Sequence, residues 1–175
     1  MMTLANKITV VRIITIPIIV VLLLTNHRHT AIGFLIFSFL TDALDGYFAR
    51  RRGEQTNLGA FLDPMADKLL LSSLFLTLTF MRGVPIWIFV VVFSRDLLIV
   101  LGWSVIYILT RSFKITPRPL GKLTTSVQML AAFLVIVKAN TYAQFISLWA
   151  VVIITAISTI DYVIVGEKLL GEWES

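Results

Sequence analysis

The sequence predicts an all-α integral membrane protein: a bundle of six transmembrane helices with a short N-terminal interfacial segment. Three observations lead to that fold class. The chain is 58% hydrophobic over 175 residues, with a mean hydropathy of +0.91, above the roughly 45–50% apolar content of soluble domains. It divides into six apolar stretches, each close to the roughly 20 residues that cross a bilayer. Its Lys and Arg residues gather at alternate ends of those stretches, as the positive-inside rule requires.

The elements follow in order. Residues 1–7 are expected to lie along the interface as a short helix. The first span covers about 8–25. It is expected to be a retained span rather than a signal peptide, because Arg12 interrupts it and Asn26-His27-Arg28-His29 follows in place of a small-residue cleavage site. Further spans are expected at about 31–50, 59–80, 85–110, 121–138 and 145–166. The connections are short, so neighbouring helices run antiparallel. With the N-terminus inside, the cytoplasmic ends carry Lys7, Arg12, Arg50, Arg51, Arg52, Arg111, Lys114, Arg118, Lys122 and Lys168. The opposite ends carry only Arg28, Arg82 and Lys138. An even number of spans then puts both termini in the cytoplasm, with the protein a multi-pass component of the inner (plasma) membrane. No soluble domain or internal repeat interrupts the chain, and residues 1–175 read as a single membrane domain.

Composition also excludes function classes. The chain has no cysteine, so disulfides and thiolate metal sites are ruled out. The net charge of +5 speaks to orientation and lipid headgroups. Nucleic acid is not an expected partner, because the cations sit at span ends rather than on one solvated face.

The most informative stretch is Asp42 to Asp67, DALDGYFARRRGEQTNLGAFLDPMAD. Asp42 and Asp45 are three residues apart, Asp63 and Asp67 four, so on helices each pair shares a face. Asp42 to Arg50, and Gly59 to Asp67, each rise by about 12 Å. Both pairs therefore fall within roughly two turns of the cytoplasmic surface, where a cavity open to that side spares them a large desolvation cost. The fixed positions Asp42, Asp45, Gly46, Ala49, Arg50, Gly59, Asp63 and Asp67 spell D-x2-D-G-x2-A-R-x8-G-x3-D-x3-D without a gap. This resembles the signature of the CDP-alcohol phosphatidyltransferases, integral membrane enzymes of phospholipid synthesis.

Four carboxylates facing one another do not all stay ionised unless cations join them. Hard oxygen donors suit Mg²⁺, Mn²⁺ or Ca²⁺, and two such ions can clamp a diphosphate. The competing reading is a structural network neutralised by Arg50–Arg52 and Lys68, which would not need the full spacing. The resemblance implies finer roles. It makes Asp42, Asp45 and Asp63 ligands of two Mg²⁺ or Mn²⁺ ions. It makes Asp67 the general base, also close to the metals, taking the proton of an acceptor hydroxyl that attacks the β-phosphorus of CDP-diacylglycerol. It places Gly46, Ala49, Arg50 and Gly59 at the nucleotide and suggests a homodimer. As plain packing residues the glycines would only let helices approach closely, and Arg51 and Arg52 read as ordinary positive-inside charges.

A second polar set lies later in the chain. Arg95-Asp96 falls inside the fourth span. Adjacent helical residues point about 100° apart, so Arg95 is expected to need a partner beyond Asp96, with substrate phosphate one candidate. Arg111, Lys114, Arg118 and Lys122 cross a cytoplasmic connection, and Arg118-Pro119-Leu120-Gly121-Lys122 opens a helix. Together these cations suit an anionic acceptor, with Arg118 and Lys122 the leading candidates. Asp161, in the sixth span, has no assigned role.

The acid motif leaves the acceptor open. Gly121-Lys122-x-x-Thr125-x-x-Gln128-Met129 and Asn6-x-x-Thr9-x-x-Arg12 resemble the bacterial phosphatidylglycerophosphate synthases, whose acceptor is glycerol 3-phosphate. Arg95-Asp96 departs from the Arg-Glu usual there and is similar to the cardiolipin synthases, which use phosphatidylglycerol. Glycerol 3-phosphate is the expected acceptor and cardiolipin synthesis the alternative. A cation transporter is the alternative of another class, disfavoured because the acids cluster once and near one face rather than in paired repeats.

Overall fold

The computed structural model describes the backbone of residues 4–52, 57–110 and 119–174, and side chains over 10–41, 65–102, 104 and 119–167. Among the described residues it is all-helical, with six helices in the order α1 (Leu4–Leu24), α2 (Arg28–Arg52), α3 (Asn57–Phe80), α4 (Ile86–Thr110), α5 (Pro119–Ile136) and α6 (Thr141–Glu174). Each lies over one expected apolar stretch.

Two boundaries differ from expectation. α1 runs unbroken from Leu4 to Leu24, so residues 4–7 continue into the first apolar stretch rather than forming a separate interfacial helix, and residues 1–3 of that expected segment lie outside the described residues. No glycine or proline stands between Leu4 and Val11 to stop it. α6 has 34 residues and reaches Glu174, past the hydropathy limit near residue 166. At 1.5 Å per residue that is about 50 Å, well over the roughly 30 Å hydrocarbon core. Hydropathy falls at Glu167-Lys168, but Glu, Lys and Leu are good helix formers, so the backbone carries on.

Three helices end on the same device. Asn26, Arg82 and Lys138 adopt left-handed backbone, with φ of 64°, 58° and 53°. After α1, the amide of His27 donates to the Leu22 carbonyl at 2.8 Å and that of Asn26 to Leu23 at 3.0 Å. Gly83 and Arg82 repeat the pattern after α3, and Ala139 and Lys138 after α5. These bonds satisfy carbonyls that a helix end would otherwise leave bare.

The chain forms two compact units, Met1–Gly83 and Val84–Ser175. In the first, α1 packs on both α2 and α3. Its buried stripe is Arg12, Ile16, Ile19 and Leu23, at helical spacing. Ala31, Leu35 and Ser38 are buried on α2, and Ala66, Leu70, Leu74 and Phe75 on α3. In the second unit α6 packs on α4 and α5 through a stripe of small residues, Val151, Thr155 and Ser158, with Ala131 and Ala132 buried on α5. Small residues let apolar helices approach closely. Gln128 of α5 donates from Nε2 to Thr155 Oγ1 at 3.2 Å, fully buried, and ties α5 to α6.

The outer faces are as apolar as the inner ones. On α6, Ile153, Ile157, Ile160 and Val163 are all exposed. Such a surface is costly in water and ordinary in lipid. Among the described residues, Pro119–Ile136 and Thr141–Glu167 are long and apolar enough to cross a membrane, and Val10–Leu24 is a shorter apolar helix.

Candidate active site

The acid motif falls on two helices of the first unit. α2 carries Asp42, Asp45, Gly46, Ala49 and Arg50, and α3 carries Gly59, Asp63 and Asp67. The backbone is helical at all eight positions, so each acid pair shares a face, as its spacing predicts. The side chains of Asp42, Asp45, Ala49, Arg50 and Asp63, and the surroundings of Gly46 and Gly59, lie outside the described residues. Asp67 is described. Its carboxylate is 30% exposed and accepts a 2.8 Å hydrogen bond at Oδ1 from Nη1 of Arg12, whose side chain is only 1% exposed.

Arg12 is a functional candidate that the charge count missed. It was expected to be one of several cations at cytoplasmic span ends, and it is instead a buried arginine bonded to the expected general base. A signal was present in the sequence. An arginine inside a first apolar span must find a carboxylate or a water-filled cavity, and the acid motif supplies the carboxylates.

The second unit holds a compact polar cluster. Arg95 of α4 is 5% exposed. Its Nη1 donates to Asp96 Oδ1 at 2.7 Å, its Nη2 donates to Ser158 Oγ of α6 at 2.9 Å, and its guanidinium carbon lies 5.5 Å from the Tyr162 ring centroid. Arg95 thus has the further partner that its helix position called for, found in α6 rather than in a substrate phosphate, and it also closes on Asp96. Cβ atoms 100° apart are bridged by a long, flexible arginine side chain, and a buried pair gains from closing. Ser158 and Tyr162, four apart on α6, escaped sequence reasoning because their polarity alone marks no partner.

α5 begins at Pro119, as Arg118-Pro119 predicts, since proline suits a first helical position. Lys122, in its first turn, is exposed. Arg111, Lys114 and Arg118 lie outside the described residues. Asp161 is part-exposed on α6.

The family model described as CDP-alcohol phosphatidyltransferase matches residues 2–157, which include the whole acid motif and Arg95-Asp96 and end one residue before Ser158. The chain belongs to the CDP-alcohol phosphatidyltransferase family. Curated relatives agree. A Bacillus subtilis protein named CDP-diacylglycerol--glycerol-3-phosphate 3-phosphatidyltransferase is 32% identical, over 93% of this chain and 94% of its own. An Aquifex aeolicus protein of the same name is 30% identical, over 97% and 98%. A rat cardiolipin synthase (CMP-forming) is 36% identical over 69% of this chain but 39% of its own.

The resemblance read from the acid motif is thereby borne out. The CDP-alcohol phosphatidyltransferases are membrane enzymes, and the two helices long and apolar enough to cross a membrane agree with that setting. Membership in this enzyme family sets the cation-transporter alternative aside.

Proposed function

We propose that this phosphatidyltransferase moves the phosphatidyl group of CDP-diacylglycerol to a hydroxyl of glycerol 3-phosphate, giving phosphatidylglycerophosphate and CMP. The observation that carries this choice is the match, end to end, with two relatives named for that acceptor, over 94% and 98% of their length. Arg95-Asp96 favours the second reading, cardiolipin synthesis, and the rat relative named for it covers 39% of its own length.

In this reading Asp67 is the base. The acceptor oxygen bonds to the β-phosphorus, the phosphorus–oxygen bond to CMP breaks, and the hydroxyl proton passes to the Asp67 carboxylate. Arg12 holds Oδ1 of that carboxylate in place. Arg50 binds the nucleotide phosphates, with Gly46, Ala49 and Gly59 leaving room for the nucleotide. The donor set suits a metal. It consists of hard carboxylate oxygens paired on single helix faces, and solvent reaches the one described member, Asp67. Asp42, Asp45, Asp63 and Asp67 would hold two Mg²⁺ or Mn²⁺ ions, which when bound supply neutralisation of the diphosphate charge. Lys122, with Arg118, Arg111 and Lys114, holds the acceptor phosphate.

The same reading takes all six helices as spans, both termini as cytoplasmic, the inner membrane as the location, residues 1–175 as one catalytic domain with its cavity open to the cytoplasm, and a homodimer as the working form. The deciding experiment is CMP release from CDP-diacylglycerol with glycerol 3-phosphate, phosphatidylglycerol, inositol phosphate and serine, with mass-spectrometric identification of the lipid product. Cardiolipin as the product would overturn the choice of acceptor. No CMP release with any of them would overturn the reaction.

A further inference from the structure

Three helices of the second unit converge on one glycine. Gly121 is the third residue of α5. A Cβ at Gly121 would stand 2.9 Å from Tyr162 Oη and 3.7 Å from Arg95 Nη2. The first distance is closer than real Cβ contacts tolerate. The phenol oxygen of Tyr162, from α6, therefore occupies the space that a side chain at Gly121 would fill.

Tyr162 is itself held. Its ring covers the Arg95 guanidinium at 5.5 Å, a cation–π arrangement, and Arg95 is bound to Ser158 one helical turn earlier on the same face of α6. Asp96 balances the charge of Arg95 from α4. With both terminal nitrogens engaged inside the protein, one face covered by a ring, and 5% exposure, Arg95 is poorly placed to serve as a ligand. Lys122, the residue after Gly121, is exposed.

We propose that Gly121, Tyr162 and Arg95 form a latch that fixes the first turn of α5 and so aims Lys122 at the acceptor phosphate. Arg95 is then a positioning residue rather than an acceptor ligand. This deepens the acceptor reading above and rests on it. The glycine is required because the latch closes through the space its side chain would fill, and the closeness of Tyr162 sets the position of the turn.

The test is a KM comparison on purified enzyme in detergent–lipid micelles, using the acceptor that the wild type turns over. Gly121→Ala should raise the acceptor KM by about tenfold, the scale of one weakened charge-assisted contact, while the CDP-diacylglycerol KM stays within about twofold. Adding Tyr162→Phe removes the oxygen that the new methyl meets, and the double variant should recover most of the lost acceptor affinity. Tyr162→Ala opens the latch from the other side without crowding. It should also raise the acceptor KM selectively, so the question is answered even where Gly121→Ala does not fold. A wild-type acceptor KM in Gly121→Ala or in Tyr162→Ala would overturn the latch. So would equal rises in both KM values, as a merely structural contact gives, or a double variant no better than Gly121→Ala, which would show that the new methyl acts other than through the Tyr162 oxygen. An acceptor KM raised by Arg95→Lys but by neither of the other changes would make Arg95 a direct ligand. A wild type that releases no CMP with any acceptor removes the acceptor reading and the latch together, whereas normal wild-type turnover with unmoved variants removes the latch alone.

Discussion

Arg12 in α1 and Asp67 in α3 are joined by a 2.8 Å hydrogen bond, the arginine side chain 1% exposed and the carboxylate 30%. The two are 55 residues apart in sequence. The pair pins one oxygen of the proposed base to a helix that carries none of the acid motif. Arg12 shares its buried stripe with Ile16, Ile19 and Leu23, so the guanidinium is set by the packing of α1.

Removing that guanidinium should harm catalysis as well as folding. For Arg12→Ala we expect the loss of a charge-assisted hydrogen bond, about 1.5–3 kcal/mol, seen as a roughly ten- to hundredfold fall in kcat/KM. Arg12→Lys keeps the charge but not the forked geometry and should recover only part of the activity. CMP release and thermal melting, measured on the same samples, check this. Wild-type kcat/KM in Arg12→Ala would show that the pair is incidental.

Metal should be required. Four acids on two successive helices repel, when they face one another, unless cations join them, so a chelator should abolish CMP release and Mg²⁺ or Mn²⁺ should restore it. Asp45→Asn should raise the metal concentration needed for half-maximal rate as well as lower the rate itself. Full activity in excess EDTA would sink the two-metal reading.

Different cations should serve different substrates. Arg50→Ala should chiefly impair use of CDP-diacylglycerol. Arg118→Ala and Lys122→Ala should raise the acceptor KM or lower kcat/KM for the acceptor by about ten- to a hundredfold, with a much smaller change for the nucleotide substrate. Acceptor kinetics that stay at wild-type values in both variants would return these residues to ordinary positive-inside charges.

Orientation is open to direct labelling. A tag after Ser175 should be protected in intact cells, and one in the loop from Asn26 to Thr30 should be labelled from outside. Labelling of the Ser175 tag from outside would mean that the number of spans or their direction is wrong.

Much of this protein was readable from residue order, and for a physical reason. Apolar length, the 3.6-residue period, charge at span ends and the spacing Asp42, Asp45, Asp63, Asp67 are local properties. They fix six helices and place each acid pair on one face before any packing occurs. Proline at 119 likewise marked the start of α5. Where local signals conflicted, the boundary moved: α6 outran its hydropathy because helix propensity continued. Only tertiary structure decided which charges meet. That Arg12 would be buried on Asp67, that Arg95 would bend to its own neighbour and to Ser158, and that Gly121 would lie under Tyr162 all depend on which helix faces pack together. Sequence periodicity defines a face but not its partner. Inside an apolar bundle a buried charge must be satisfied by whatever that partner offers.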